Sequence, residues 1–315
     1  MFNAEKFIDE AVASIKADVS GTALIAFSGG VDSTVCAALV NKAIGKDLVA
    51  VQDDTGYMRK NESRNVKKLM QRMKLNFRFV DASKDFYDNL KGVVDPEKKR
   101  KIIGEKFIRV FEKVAKQEKI KYLVQGTIAP DWIESGDSLR DNIKSHHNVG
   151  GLPEKMDLKL VEPLRDLYKD EVRKVARALN LEISERQPFP GPGLAVRIIG
   201  EATPKRAEIV REACFIVEEE IEKAVHEGKM EMPWQYFAVL LPIKSVGVQG
   251  DKRAYGYVIT IRAVQSIDAM TCSYSKIPHD VLEKISIRIT NSMKDKVNRV
   301  VYDITDKPPG TVEWE

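Results

Sequence analysis

The stretch Leu24–Leu39 reads LIAFSGGVDSTVCAAL, and it constrains the chain more than any other. Leu24–Phe27 is a short continuous apolar run, as expected of a strand covered on both faces. Gly29–Gly30 permits a sharp turn and a close backbone approach, because no Cβ intrudes. The apolar residues that follow predict a helix starting near Asp32–Ser33. Strand, tight turn and helix in that order commit the region to an α/β layout. They also make an anion site: the free N–H groups and positive dipole end of the helix face the turn, and the hydroxyls of Ser28, Ser33 and Thr34 add donors. Neither Gly-x4-Gly-Lys-Ser/Thr nor Gly-x-Gly-x-x-Gly is present, so two common phosphate loops are excluded.

The same alternation continues downstream. Residues 3–18 have helical periodicity, with Phe7, Ile8, Val12, Ala13 and Ile15 on one stripe. Leu48–Gln52, Phe77–Asp81, Tyr122–Thr127 and Leu160–Leu164 read as further strands. Helices are expected between them, over about 60–73, 85–90 and 95–118. Alternating strands and helices of this kind predict a parallel sheet with helices on both faces. Asp53–Gly56 lies at the carboxyl end of its strand, the edge where open α/β sheets bind ligands. Arg59 and Lys60 follow; each reads singly as solvated surface. Lys98–Lys101 reads as a solvated helical face, since no aromatic residues interleave with it.

Residues 128–152 are polar and contain glycine without periodicity, which suggests a functional lid. His146 and His147 are adjacent and point apart, which argues against a metal pair. Gln187–Ile198 holds too much proline and glycine for a helix or a central strand. Beyond it, Pro204–Val225 and Val281–Met293 are expected as helices. Trp234–Ile243, Tyr255–Val264 and Val300–Ile304 are expected as strands, with Lys244–Arg253 as a connection. The division expected is 1–187 for a nucleotide domain, 188–200 for the connection, and 201–315 for a small α+β domain whose strand edges pair with a second copy.

Composition limits the function classes. The net charge of +4 over 315 residues is too small to argue for nucleic acid. No apolar run approaches the ~18 residues of a membrane span, and the N-terminus lacks the pattern of a secretory signal. Cys36, Cys214 and Cys272 are scattered, which suits a reduced, cytoplasmic protein.

The loop Ser28–Ser33 resembles the pyrophosphate loop of the ATP pyrophosphatase superfamily. Taken with Asp131–Pro153, with PFPGPGLAVR at 188–197 and with KPPGTVEWE at 307–315, it resembles the ATP pyrophosphatase part of the GMP synthetase family. The resemblance spans essentially the whole chain. It implies an α/β domain of the adenine nucleotide alpha hydrolase-like type with a C-terminal α+β dimerisation domain. It implies ATP- and Mg²⁺-dependent amination of xanthosine 5′-monophosphate (XMP) to GMP, with adenylylation of the 2-oxygen, ammonia attack and release of AMP and pyrophosphate. The family pattern carries ATP binding onto Ser28, Gly29, Gly30, Val31, Asp32, Ser33 and Gly126, with Asp32 on the metal. It carries catalysis onto Asp32, Asp131, Glu134 and Lys144, XMP binding onto Arg59, Gln235, Arg299, Lys307 and Glu313, and a further acidic pair onto Asp170 and Glu171. Fused relatives begin with a glutaminase domain. Here only about 20 residues precede the first strand, so the resemblance implies ammonia from a separate glutaminase subunit. Gly136 stands where some relatives carry lysine. The alternative is another ATP pyrophosphatase, such as an NAD synthetase-like amidating enzyme.

Overall fold

The computed structural model describes residues 2–129, 158–181, 187–249, 251–266 and 270–315. They divide into two compact units. The first comprises residues up to Asp54, Asn61–Ala82 and Gly104–Arg186; the second comprises Thr55–Lys60, Ser83–Ile103 and Gln187–Glu315.

The first unit is a five-stranded parallel sheet, β1 (Ala23–Ala26), β2 (Leu48–Asp54), β3 (Asn76–Asp81), β4 (Tyr122–Val124) and β5 (Lys159–Val161), in the order β3-β2-β1-β4-β5. Every pairing is parallel, and Ile25 lies between Ala50 and Val124. The order reverses at β1, between β2 and β4, which is where such sheets open a crevice at their carboxyl ends. Both faces are covered, so β1 and the Leu48–Val51 part of β2 are apolar throughout. One face packs Ile25, Leu48 and Ala50 against α1 (Ala4–Asp18), α2 (Val31–Ile44) and α6 (Lys169–Ala178). The other face packs Leu24, Val49 and Val51 against Val114, Ala115 and Ile120. Helix ends follow local rules. Asn3 caps α1 by accepting the Lys6 N–H at 3.1 Å, and Gly45 ends α2 at φ +58°. α3 (Glu62–Arg72) follows β2.

The second unit is α+β. α7 (Pro204–His226) has Thr203 as its cap and Pro204 in the first turn. Its apolar stripe, Ala207, Val210, Ala213, Val217 and Ile221, is buried. β6 (Gln235–Gln249) and β7 (Lys252–Gln265) pair antiparallel. β9 (Val297–Asp303) joins β7 in parallel, and the short β8 (Ser273–Tyr274) joins it antiparallel. α8 (His279–Ser292) buries Val281, Ile285 and Ile289. α4 (Ser83–Asn89) also belongs here, and α5 (Pro96–Gln117) begins in this unit.

Three expectations change. The connection expected at 244–253 is strand: the hairpin pairs as far as Gln249 and Lys252, with a register shift between Leu240 and Lys244. Its outer part presents Val246, Val248 and Tyr255 to solvent, so it lacks the buried face that periodicity detects. Gly193–Arg197, within the Pro/Gly stretch, forms a 3₁₀ turn. Lys99 is fully buried, because its ammonium is paired within the second unit, and Lys98–Lys101 is therefore more than a solvated face.

Candidate active site

The loop after β1 is closed by its own polar groups. Gly30 N–H donates to Ser28 Oγ at 3.3 Å, the two hydroxyls Ser28 and Ser33 lie 3.0 Å apart, and Ser33 Oγ donates to the Gly30 carbonyl at 3.1 Å. The ring fixes the turn that leads into α2. Gly29 is at φ +76°, and a Cβ there would come within 2.8 Å of Val66 Cγ2, so both dihedral and space require glycine. Gly126, just past β4, faces the same point: a Cβ on it would lie 3.4 Å from Asp32 Cβ. Bare backbone on two neighbouring strands thus frames the N-terminus of α2, where N–H groups and helix dipole attract an anion.

Asp32 stands in the first turn of α2. Its Oδ2 accepts from Lys169 Nζ at 2.6 Å, and its Oδ1 is buried with no hydrogen-bond partner among the described residues. An unsatisfied buried carboxylate oxygen is costly in isolation, and it suits a hard cation. Mg²⁺ commonly takes one or two carboxylates, completing its shell with water and phosphate oxygens. Among the described residues no group of three or more His, Cys, Asp and Glu is placed to hold a metal without such help. The donor set fits substrate-bound Mg²⁺ better than a resident ion.

Further along the edge, Glu162 accepts from Thr127 Oγ1 and from Arg165 Nη1, the latter at 2.8 Å. At the end of β2, Ser63 Oγ donates to Asp54 Oδ2 at 2.6 Å, and Asp54 lies opposite Asp81 in register. Asp53 is buried, and neither of its oxygens has a partner among the described residues. Burial first, then the charges of Asp54 and Asp81, pushes its carboxyl up to about 7.

In the second unit, two expected residues, Arg59 and Gln235, reach Gln187–Phe189, and Gln235 links a third, Glu313, to them. Arg59 donates to the carbonyls of Gln187 and Pro188 at 3.0 and 3.2 Å, and its guanidinium lies 4.4 Å from the Phe189 ring centre. Gln235 Nε2 donates to the Pro188 carbonyl and to Glu313 Oε1, at 3.3 and 3.0 Å. Glu313 is gripped by the fork of Arg197, at 2.7 and 3.0 Å. Arg197 is fully buried and lies 4.0 Å from the Phe237 ring centre. Lys60 pairs with Glu212 at 2.6 Å and covers the Phe215 ring, so neither Arg59 nor Lys60 is simple solvated surface.

The other expected residues fall as follows. Arg299 is on β9 and donates to Ser245 Oγ at 3.3 Å; Lys307 bridges Cys272 through the backbone. Asp170 pairs with Lys174 at 3.2 Å, and Glu171 accepts the Tyr168 N–H at 3.0 Å, so both serve the first turn of α6. In that turn it is Lys169 that reaches the loop. Asp131, Glu134 and Lys144, with nearly all of the expected lid, lie outside the described residues. Sequence reasoning set Asp53 on the ligand-binding edge and Arg197 within PFPGPGLAVR without a role for either, and it missed Lys169. The only local signal was a strand-end carboxylate beside another, at Asp53–Asp54.

Comparison with known proteins bears on both units. Residues 219–314 match the family model described as GMP synthase C terminal domain. Residues 22–187 match the family model described as queuosine biosynthesis protein QueC. A protein of Methanopyrus kandleri, named as one subunit of GMP synthase (glutamine-hydrolyzing), is 57% identical over 100% of each chain. Its counterpart from Thermoplasma acidophilum is 54% identical over 98% of each. GMP synthase (glutamine-hydrolyzing) of Thermotoga maritima is 56% identical over 98% of this chain but 62% of its own length.

Proposed function

The chain belongs to the GMP synthase family, among relatives named as separate subunits of the glutamine-hydrolyzing enzyme, and is a C–N bond-forming ligase; from that premise we propose that it aminates XMP to GMP at the expense of ATP. The xanthine 2-oxygen attacks the α-phosphorus of ATP, and pyrophosphate leaves. Ammonia then adds at C2, and AMP departs with the oxygen. The logic is that of a leaving group: a carbonyl oxygen leaves poorly, and AMP leaves well.

The observation that carries this reading is the end-to-end match to relatives named as GMP synthase subunits. The loop geometry agrees with it. Pyrophosphate develops charge as it leaves, and the free N–H groups and dipole at the N-terminus of α2 would meet such charge; the Gly30 N–H and the Ser28 and Ser33 hydroxyls, which bond one another, hold the turn that presents that N-terminus. Mg²⁺, when bound, neutralises phosphate charge; Asp32 Oδ1 is the protein oxygen that would hold it. Lys169 supplies a positive charge on a flexible stem beside the same oxygens. Glu313, Gln235 and Arg59 are assigned to the nucleotide substrate, and the C-terminal family match over 219–314 favours XMP over the substrate of an NAD synthetase-like enzyme.

Ammonia is assigned to a separate glutamine amidotransferase subunit. In support, relatives named as single subunits match this chain end to end, whereas the longer Thermotoga protein carries additional length. The chain is assigned to the cytoplasm; no described helix is long and apolar enough to cross a membrane. It is assigned to a homodimer through the second unit, where Ile243, Val246, Val248 and Ile304 are exposed.

The test is direct. The purified chain, given ATP, Mg²⁺, XMP and ammonium, is expected to form GMP; glutamine alone is expected to give none. No product with ammonium refutes the activity. Product from glutamine alone refutes the partner. Light scattering that reports a monomer refutes the dimer.

A further inference from the structure

Residues 303–315 run as a strap held by buried cations. Arg262 donates to the carbonyls of Thr305 and Thr311 and pairs with Asp303 at 3.3 Å. Arg197 holds Glu313 through two hydrogen bonds. Lys99 Nζ donates to Glu315 Oε2 and to the Ile198 carbonyl, while Gly200 N–H donates to Glu315 Oε1 at 3.0 Å. Arg262, Arg197 and Lys99 are all fully buried. Glu313 and Glu315 turn inward as two rungs, and between them Trp314, partly exposed, donates to Asp303 Oδ2 at 3.1 Å.

Ion pairs are a poor means of anchoring a strap. Buried pairs add little net stability over apolar packing of the same shape, because desolvation offsets attraction. What they do provide is orientation. A bidentate guanidinium fixes both the position and the plane of a carboxylate. Glu313 Oε1 already accepts from Arg197 and Gln235, whereas Oε2 accepts only from Arg197 among the described residues. A carboxylate has about four acceptor sites, so one site on Oε2 is left for a ligand.

We propose that Lys99 and Arg197 are positioning residues for the purine nucleotide substrate. They touch no ligand; by fixing Glu315 and Glu313 they present the remaining acceptor site of Glu313 in a set direction, ready for one N–H or O–H donor. The inference rests on the reading that Glu313 contacts XMP, and the experiment separates the two.

Calorimetric Kd values for XMP and for ATP with Mg²⁺, together with melting temperatures, are measured on the full chain and on E313Q, R197K, K99M and K99M/E315M. R197K keeps the charge but loses the fork; it is expected to weaken XMP binding by about tenfold, the scale of one hydrogen bond to a charged group, with ATP binding little changed. K99M is expected to weaken XMP binding and to lower the melting temperature, because it leaves a buried carboxylate. K99M/E315M removes both charges and is expected to regain the melting temperature while XMP binding stays weak. If XMP affinity returns with stability in the double variant, or if R197K binds XMP as the parent does, the rungs are structural only. If E313Q binds XMP unchanged, the contact reading falls and this proposal with it.

Discussion

Asp32 Oδ2 accepts a 2.6 Å hydrogen bond from Lys169 Nζ, while Oδ1 of the same carboxylate is buried without a donor among the described residues. The two oxygens therefore differ: one is held by a side-chain cation, and the other is the oxygen proposed above to take Mg²⁺. D32N keeps the shape and removes the charge. It is expected to abolish pyrophosphate release and leave the melting temperature close to that of the parent. K169M is expected to raise KM for ATP by about 10–100-fold, on the scale of ~1.5–3 kcal/mol for a hydrogen bond to a charged group. Unchanged turnover in D32N removes the loop from the reaction.

The G29A variant meets two costs. The left-handed dihedral costs about 1–2 kcal/mol for a non-glycine residue, and Val66 Cγ2 stands 2.8 Å from the new methyl. Chemical denaturation is expected to show a loss of about 2–3 kcal/mol. In G29A/V66A the contact is relieved and the dihedral is not, so the double variant is expected to lose less than the sum of the single changes.

Asp53 governs a pH effect. Its carboxyl, raised to about 7, binds a proton in the folded chain over a range where the unfolded chain has released it. Stability therefore falls as pH rises from about 4 to about 7 and levels off above that. D53N removes this dependence. At 1.36 kcal/mol per unit, it is expected to exceed the parent by about 1.5 kcal/mol at pH 5 and by up to about 4 kcal/mol at pH 8. Denaturation midpoints showing D53N less stable at pH 8 overturn the assignment.

A comparable close approach occurs at Gly193. It sits at φ +63°, and a Cβ there would overlap the Tyr57 carbonyl oxygen, whose lone pair receives the Leu194 N–H at 2.8 Å. G193A is expected to cost more than ~3 kcal/mol, since backbone rather than a flexible side chain must move. Y57F, which only removes the hydroxyl donated to the Ala202 carbonyl, is expected to cost about 1–3 kcal/mol. Urea denaturation of both variants checks the order of the two losses.

What could be read in advance follows from how far apart the interacting residues lie. The loop was legible because strand, glycines and helix are contiguous, and each leaves its own local mark. The five strands of the first sheet were legible as short apolar runs. Lys99 was not: a run of four basic residues looks solvated, and its burial depends on Glu315, 216 positions away. Lys169 was not legible either, because a lysine opening a helix has no pattern, and its partner Asp32 is 137 positions distant. The outer hairpin of β6 and β7 was missed because its apolar side chains, Val246, Val248 and Tyr255, face solvent, while its covered face carries Ser245, Gly247 and Gly256, which do not read as a buried apolar face. Arg59 was expected at the site, but its seat on Phe189 required a contact between distant segments.

The pairing of Lys99 with Glu315 also has a consequence in time. A ribosome adding ~5–20 residues per second needs roughly 10–40 s to go from one to the other. Throughout that interval the nascent chain carries residues 83–103 with their later partners still unmade. For that period Lys99 has no Glu315 to pair with, so its ion pair forms long after its own synthesis. A chain stalled before residue 315 would lack the carboxylate that Lys99 pairs with, and a protease cutting within 83–103 would report whether that pair has formed.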